Sequence, residues 1–267
     1  MKKFASAVIV LLALTFIYAP IIVLCVYSFT PTDSIGAWGG FSIKPYIDLF
    51  SVEKLRNMII DTLVLALLAA ALSTILGTLG AIGIFFNKKW LGKFTKSASQ
   101  IPVINAEIVT AISLALVFAF ISLGKSYAAM LIGHMVLCTP FVVLSVIPKL
   151  KQMDSSLYEA ALDLGATPVQ ALFKVIIPEI LPGIFAGFML AITLSLDDYM
   201  ITAYTKPAEF ETISTYVFGA IRKPRNAYLP ALRALSSIIL VIMIAVVIFM
   251  NFRISQQNKK SKTNKNI

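Results

Sequence analysis

Thiol, imidazole and metal chemistry have little to work with in this chain: among 267 residues there are two cysteines, Cys25 and Cys138, and one histidine, His134. Both cysteines sit inside long apolar runs, which excludes a disulfide framework and a multi-cysteine metal site. No metal and no cofactor is expected. A lone histidine with no nucleophile–base pair leaves no hydrolytic constellation, so no catalytic residue is assigned. Nor is there a G-x-x-x-x-G-K-[ST] loop to cradle phosphates; Gly92-Lys93 comes nearest and is followed by Phe94. Charge is also short, 13% of residues against about 25% in an ordinary soluble domain. With 58% hydrophobic residues and a mean hydropathy of +0.87, a soluble globular domain is excluded. The charge present leans positive, +10 from 23 basic and 13 acidic residues. That excess needs no nucleic-acid partner if it lies at membrane surfaces.

What the chain does have is long stretches free of Asp, Glu, Lys and Arg. A membrane-crossing helix needs about 20 mostly apolar residues, and six stretches offer themselves: Phe4–Thr32, Thr62–Asn87, Ile108–Gly124, Tyr127–Pro148, Ile180–Leu196 and Ala234–Phe252. The third and fifth are short enough that a flanking polar residue must join them. The first follows Lys2 and Lys3 as a signal peptide would, but its apolar run is too long and no small-residue cleavage site stands out, so it reads as a retained helix. The chain is therefore an all-α polytopic protein of the lipid bilayer with six transmembrane helices. Its organisation reads as an N-terminal helix and outer loop (1–57), a five-helix core (58–252) and a disordered basic tail (253–267).

Six crossings put both termini on one side. With the N-terminus inside, 14 Lys/Arg fall on the cytoplasmic side and 9 on the outer side, five of the nine in the single loop Lys206–Arg233. The positive-inside bias favours both termini on the cytoplasmic side.

The connection Lys149–Glu179 is longer than a simple helix linker and carries helix punctuation. Ser156-Leu157-Tyr158-Glu159 has the form of a capping box, and the helix that follows should carry Ala160, Ala161 and Leu164 to a stop at Gly165. Thr167-Pro168 then restarts a helix, with Thr as N-cap and Pro at the first position. Its apolar face is Ala171, Leu172 and Val175, and Pro178 and Pro182 flank the entry to the fifth crossing. Such a hairpin either lies on its own bundle or docks on another subunit.

Glu159-Ala160-Ala161, three residues, Gly165, nine residues, Val175-Ile176-Ile177-Pro178 resembles the EAA loop of ABC-importer permeases, E-A-A-x3-G-x9-I-x-L-P, with two conservative departures at Val175 and Ile177. The resemblance implies a type I importer (MetI-like) fold and a coupling hairpin, with Glu159, Ala160, Ala161, Gly165 and Pro178 transmitting closure of a cytoplasmic ATPase. Tyr18-Ala19-Pro20-Ile21-Ile22 with Tyr27-Ser28-Phe29, the stretch from Pro102 to Ser113 with Glu107-Ile108-Val109, Pro140-Phe141-Val142-Val143 and Ser195-Leu196-Asp197-Asp198 are similar to the permeases of spermidine/putrescine importers. The similarity spans nearly the whole chain. It implies a heterodimer with a second permease, two copies of an ABC ATPase, an extracytoplasmic polyamine-binding protein and a polyamine substrate. Related permeases carry iron, thiamine or sulfate, and an ion-coupled secondary transporter is the alternative of a different class.

Ionisable groups at membrane depth are costly and face a cavity or a partner. Glu107 opens the third segment, and Asp197-Asp198 follow the fifth. Adjacent carboxylates repel, and a cationic ligand compensates. Glu107, Asp197 and Asp198 are thus candidates for a substrate path, with Ser195 as a neutral hydrogen-bond partner and Tyr199 as a cation–π surface. The competing reading has the Asp pair capping helices and Glu107 pairing with a lysine of a partner permease. His134 reads as an interhelical hydrogen-bonding residue. The Gly183-x3-Gly187 pair and the series Gly77, Gly80, Gly83 read as close helix packing.

Overall fold

A computed structural model describes residues 2–34, 36–86, 103–154, 156–222, 226–242 and 244, with side chains from Ile9 onward. The expected tail, the connection carrying Lys88, Lys89, Lys93 and Lys96, and most of the far end of the sixth apolar stretch lie outside the described residues. The elements run α1 Lys2–Tyr27, α2 Lys44–Ser51, α3 Glu53–Phe86, α4 Glu107–Phe120, α5 Tyr127–Gln152, α6 Ser156–Asp163, α7 Pro168–Ala171, a π-helical turn Leu172–Ile176, α8 Ile177–Asp197, α9 Met200–Thr205, α10 Ile213–Ile221 and α11 Leu229–Ile242. No strand occurs among the described residues. Among the described residues four helices are long and apolar enough to cross a membrane: α1, α3, α5 and the rod from Pro168 to Asp197. The third apolar stretch and the described part of the sixth lie in the shorter helices α4 and α11.

The chain divides into two compact units, Met1–Arg56 with Gly219–Ile267, and Asn57–Phe218. In the first, none of the apolar window Ile9–Tyr27 of α1 is buried by the rest of the chain. A helix apolar all round finds its burial in lipid or in another chain. Arg233 of α11 donates to the carbonyls of Thr32 at 3.3 Å and Ser34 at 2.8 Å, and the Asn226 N–H meets Asp33 O at 3.3 Å. Arg233 and Asn226 thereby tie α11 and its approach to the segment from Thr32 to Ser34.

The second unit is organised around α5 and α8, its most extensively packed pair. Val142, Val146 and Leu150 of α5 and Ile180 and Ala191 of α8 are buried together with Ile176 and with Ala70 and Ala81 of α3. Small residues permit this approach: a Cβ on Gly183 would lie 2.8 Å from Lys149 Cγ, and one on Gly187 would lie 3.1 Å from Val142 Cγ1. On α3 only Gly77 is so constrained, its added Cβ meeting Val142 at 2.6 Å; Gly80 has ordinary contact and Gly83 open space. The recurrence of those three glycines is thus a packing device at one position rather than at all three.

Two expectations about the hairpin are corrected. Its first helix is not capped by a Ser156/Glu159 box: Asp154 Oδ1 accepts from the Ser156 N–H at 3.0 Å and Asp154 O from the Leu157 N–H at 3.2 Å, so Asp154 serves these first donors. A shorter carboxylate two residues earlier captured the donor that Glu159 would have met. The fifth crossing is not entered at Pro178 and Pro182, because α7 runs through the π turn directly into α8 and the rod begins at Pro168. The Ile177 N–H reaches back to Leu172 O, one residue further than an α-helical bond. That extra residue accommodates Pro178, which has no N–H to donate and a ring that crowds the preceding turn. The fifth apolar segment consequently starts well before Pro182.

Candidate functional site

At the Asp197 end of α8 the helix stops, Asp198 and Tyr199 turn the chain, and α9 packs back onto α4 and α5. Asp198 is 3% exposed. Its Oδ1 accepts from the Ile201 N–H at 3.2 Å, and its Oδ2 from the Thr202 N–H at 2.8 Å and the Thr202 hydroxyl at 2.7 Å. The carboxylate thus serves the first donors of α9 as a cap does. Its carbonyl accepts from Ser214 Oγ at 2.6 Å, which ties α10 to the same turn.

His134, fully buried on α5, bridges the turn from the other side. Nδ1 lies 2.8 Å from Ser195 Oγ in the last turn of α8, Nε2 lies 2.9 Å from Thr202 Oγ1 in α9, and Nε2 is 3.5 Å from Asp198 Oδ2. The interhelical role expected of this histidine is the one it has. Ser195 is engaged by the imidazole and 3% exposed, so it faces the bundle interior.

The other acids are placed differently. Asp197 and Glu107 are exposed. Glu107 opens α4, which packs on α9, and its carboxyl lies near enough to Asp198 and Asp197 to feel their charge. Three carboxyls from α4 and from the α8–α9 turn are thereby gathered at one end of the unit, without converging as a metal-ligand set. Tyr199 is half-buried and stacked on Phe218, ring centroids 4.1 Å apart and planes 26° apart, which occupies one of its faces.

At the opposite end of α8 stands the hairpin. Gly165 has φ +86°, the left-handed value that a glycine adopts without strain. The Ala166 N–H bonds Ala161 O at 3.0 Å and the Gly165 N–H bonds Leu162 O at 2.9 Å, the paired closure of a Schellman stop. Thr167 then caps α7 in a true capping box: its Oγ1 accepts from the Gln170 N–H at 3.3 Å, and Gln170 Oε1 accepts from the Thr167 N–H at 3.0 Å. Glu159, Ala160, Gly165 and Pro178 are exposed and Ala161 half-buried. Leu164, Val169 and Phe173 are 89%, 63% and 62% exposed, so the hairpin presents apolar side chains outward instead of lying with all of them on its own bundle.

Residues 73–258 match the family of binding-protein-dependent transport system inner membrane components. The chain belongs to that family.

This permease is 32% identical over 243 residues to the putrescine transport system permease protein PotI of Escherichia coli strain K12, covering 87% of this chain and 84% of that one. It is 32% identical over 234 residues to the spermidine/putrescine transport system permease protein PotC of Haemophilus influenzae, covering 87% and 90%. The corresponding PotC of Escherichia coli strain K12 is 31% identical over 234 residues. Among solved structures, a chain of a bacterial ABC transporter involved in import of the acidic polysaccharide alginate superposes with a TM-score of 0.70 at 16% identity over 96% of this chain and 95% of that chain. A chain of the inward-facing MetNI methionine ABC transporter superposes with a TM-score of 0.59 at 19% identity, over 76% and 96%. At such identities the likeness shows the fold, which is the all-α ABC-importer permease fold expected. As an inner-membrane transport component, the permease does the work of a transport subunit.

Sequence reasoning passed over Thr202, Ser214 and Asp154. A signal for the first was available: Asp198 four residues before Thr202, at the end of an apolar run, has the form of an N-cap opening a short helix. Ser214 carried no local signal, because its partner lies 16 residues away.

Proposed function

We propose that this permease translocates polyamines, spermidine and putrescine, into the cytoplasm as one subunit of an ATP-driven importer. The gathering of Glu107, Asp197 and Asp198 at one end of the α4, α8 and α9 set carries the reading. Three carboxyls in such proximity favour a ligand that brings two or more positive charges, and a polyamine carries them along a flexible chain. The relatives at 31–32% identity, whose names specify putrescine and spermidine, support the same substrate class. Exposed Asp197 and Glu107 receive the amines, while Asp198, committed to the α9 cap, supplies field rather than direct contact. The remaining face of Tyr199 offers cation–π contact. Ser195 acts through His134.

In this reading both termini are cytoplasmic, which puts the acidic group at the outer end and the hairpin on the ATPase side. Glu159, Ala160, Ala161, Gly165 and Pro178, with the exposed apolar side chains beside them, form the surface that receives an ATPase and passes its closure to α8. The continuity of α7, the π turn and α8 supports this: a push at the hairpin is delivered along one rod whose far end is the Asp197–Asp198 turn. The subunit set is a second permease, two ATPase copies and an extracytoplasmic polyamine-binding protein.

The test is uptake of labelled spermidine by cells with the whole transporter, by cells lacking this chain, and by cells whose partner ATPase has its phosphate-binding lysine replaced. Uptake should be lost in both defective strains and be competed by unlabelled putrescine. Undiminished uptake without this chain, in cells that have no second polyamine importer, would overturn the substrate assignment.

A further inference from the structure

The hydrogen bonds around His134 have a direction. Thr202 has one hydroxyl proton, and its shortest acceptor is Asp198 Oδ2 at 2.7 Å. With that proton committed, Thr202 Oγ1 accepts from His134, so Nε2 carries a hydrogen. The Ser195 hydroxyl lies 2.8 Å from Nδ1, which accepts its proton. The chain therefore reads Ser195 O–H to His134 Nδ1, His134 Nε2–H to Thr202 Oγ1, Thr202 O–H to Asp198 Oδ2. It joins the last turn of α8 to α9 through a side chain of α5. The imidazole spans the helix break as a cross-brace.

The backbone is arranged for it. A Cβ on Gly133 would lie 2.5 Å from Ile201 Cγ2, so only a glycine beside His134 lets α9 come this close to α5. Ile201, Thr202 and Thr205 are buried in consequence. All four polar members of the network are buried, where an unmet hydrogen-bonding group is costly and a satisfied set holds one geometry.

We infer that His134 is a positioning residue: as a neutral imidazole with its hydrogen on Nε2, it fixes the angle between α8 and α9 and so sets where Asp197 and Tyr199 are held. The bracing stands on the hydrogen-bond geometry; its consequence for transport rests on the acidic station proposed above.

The chain has a single histidine, which makes the brace directly observable. The complete transporter labelled with 15N-histidine is compared with its His134→Asn variant, and the signals lost belong to His134. One protonated and one unprotonated nitrogen are expected, the unprotonated one being Nδ1 and shifting when Ser195→Ala removes its donor. An Nδ1–H tautomer, an imidazolium, or indifference to Ser195→Ala would overturn the brace. For transport, His134→Gln keeps one donor and one acceptor whereas His134→Leu only fills space. Uptake by the Leu variant should fall about tenfold below that of the Gln variant, the scale of leaving buried hydroxyls unmet. Equal uptake by the two would overturn the positioning role. Where the Leu variant is absent from the membrane, Ser195→Ala and Thr202→Val replace it: each should lower uptake, the pair together no more than the worse of the two, and parental uptake by both would overturn the role. Parental uptake by Asp197→Asn and Glu107→Gln would sink the acidic station while leaving the tautomer result intact.

Discussion

Gly183 of α8 lies so close to Lys149 of α5 that a Cβ there would stand 2.8 Å from Lys149 Cγ and 3.1 Å from the Ser145 carbonyl oxygen. A flexible lysine stem can yield, but the carbonyl cannot. Gly183→Val, and Gly187→Val against Val142, should each destabilise the permease by about 1–3 kcal/mol through overpacking. Gly83→Ala, which meets nothing within 4 Å, should not destabilise it. Thermal unfolding in detergent compares the three, and equal loss at Gly83 would contradict the packing assignment.

Asp197 and Glu107 are the exposed members of the acidic group. Asp197→Asn should lower spermidine uptake roughly tenfold, the scale of losing one charge-assisted hydrogen bond. The protein level in the membrane should not change. Initial rates of labelled uptake, normalised to the amount of permease, measure it.

Glu159 is exposed on α6 beside the outward apolar side chains of the hairpin. Glu159→Lys is expected to leave the complex assembled and hydrolysing ATP while uptake falls to background. The ratio of phosphate released to spermidine accumulated is the readout, and a parental ratio would count against a coupling role.

Gly165 at φ +86° should not accept a Cβ without strain. Gly165→Ala is expected to cost about 1–2 kcal/mol locally and to loosen the Ala166–Ala161 closure. Amide hydrogen exchange over Ser156–Asp163 should quicken in the variant, whereas α5 should keep its protection.

Asp154 serves the first donors of the same helix, and the backbone and side chain of Ser156 hold its carboxyl below the usual carboxylate range. A depressed value means the interaction is present above the ordinary carboxylate pKa and is lost as pH falls through the native one. Exchange at the start of α6, corrected for its intrinsic pH dependence, should therefore rise on acidification through that value. In Asp154→Ala the pH-dependent part should vanish.

Much of the hairpin was legible residue by residue because its determinants are local. A glycine stop, a Thr-Pro restart and an apolar face act within one or two turns, so Gly165, Thr167 and Pro168 stand where expected. The first cap differs for an equally local reason: Asp154 and Glu159 compete for the Ser156 N–H, and only the backbone path shows that Asp154 takes it. At the acidic end, residue type pointed to Glu107, Asp197 and Asp198 because charges near membrane depth are few. Their different duties were not legible.

Composition and spacing by themselves determined that this is an all-α membrane protein, where its apolar runs lie, and that an EAA-like hairpin interrupts them. These follow from chain-local energies: transfer of apolar residues from water, capping of helix ends, and the conformational limits of Gly and Pro. Tertiary structure alone decided that Asp198 is buried as a cap while Asp197 stays exposed, that α7 and α8 form one rod, and that His134 reaches both sides of the α8–α9 break. His134 is 61 residues from Ser195 and 68 from Thr202, and a hydrogen bond depends on geometry to within tenths of an ångström. No local pattern encodes that geometry, because it exists only once α5, α8 and α9 have packed.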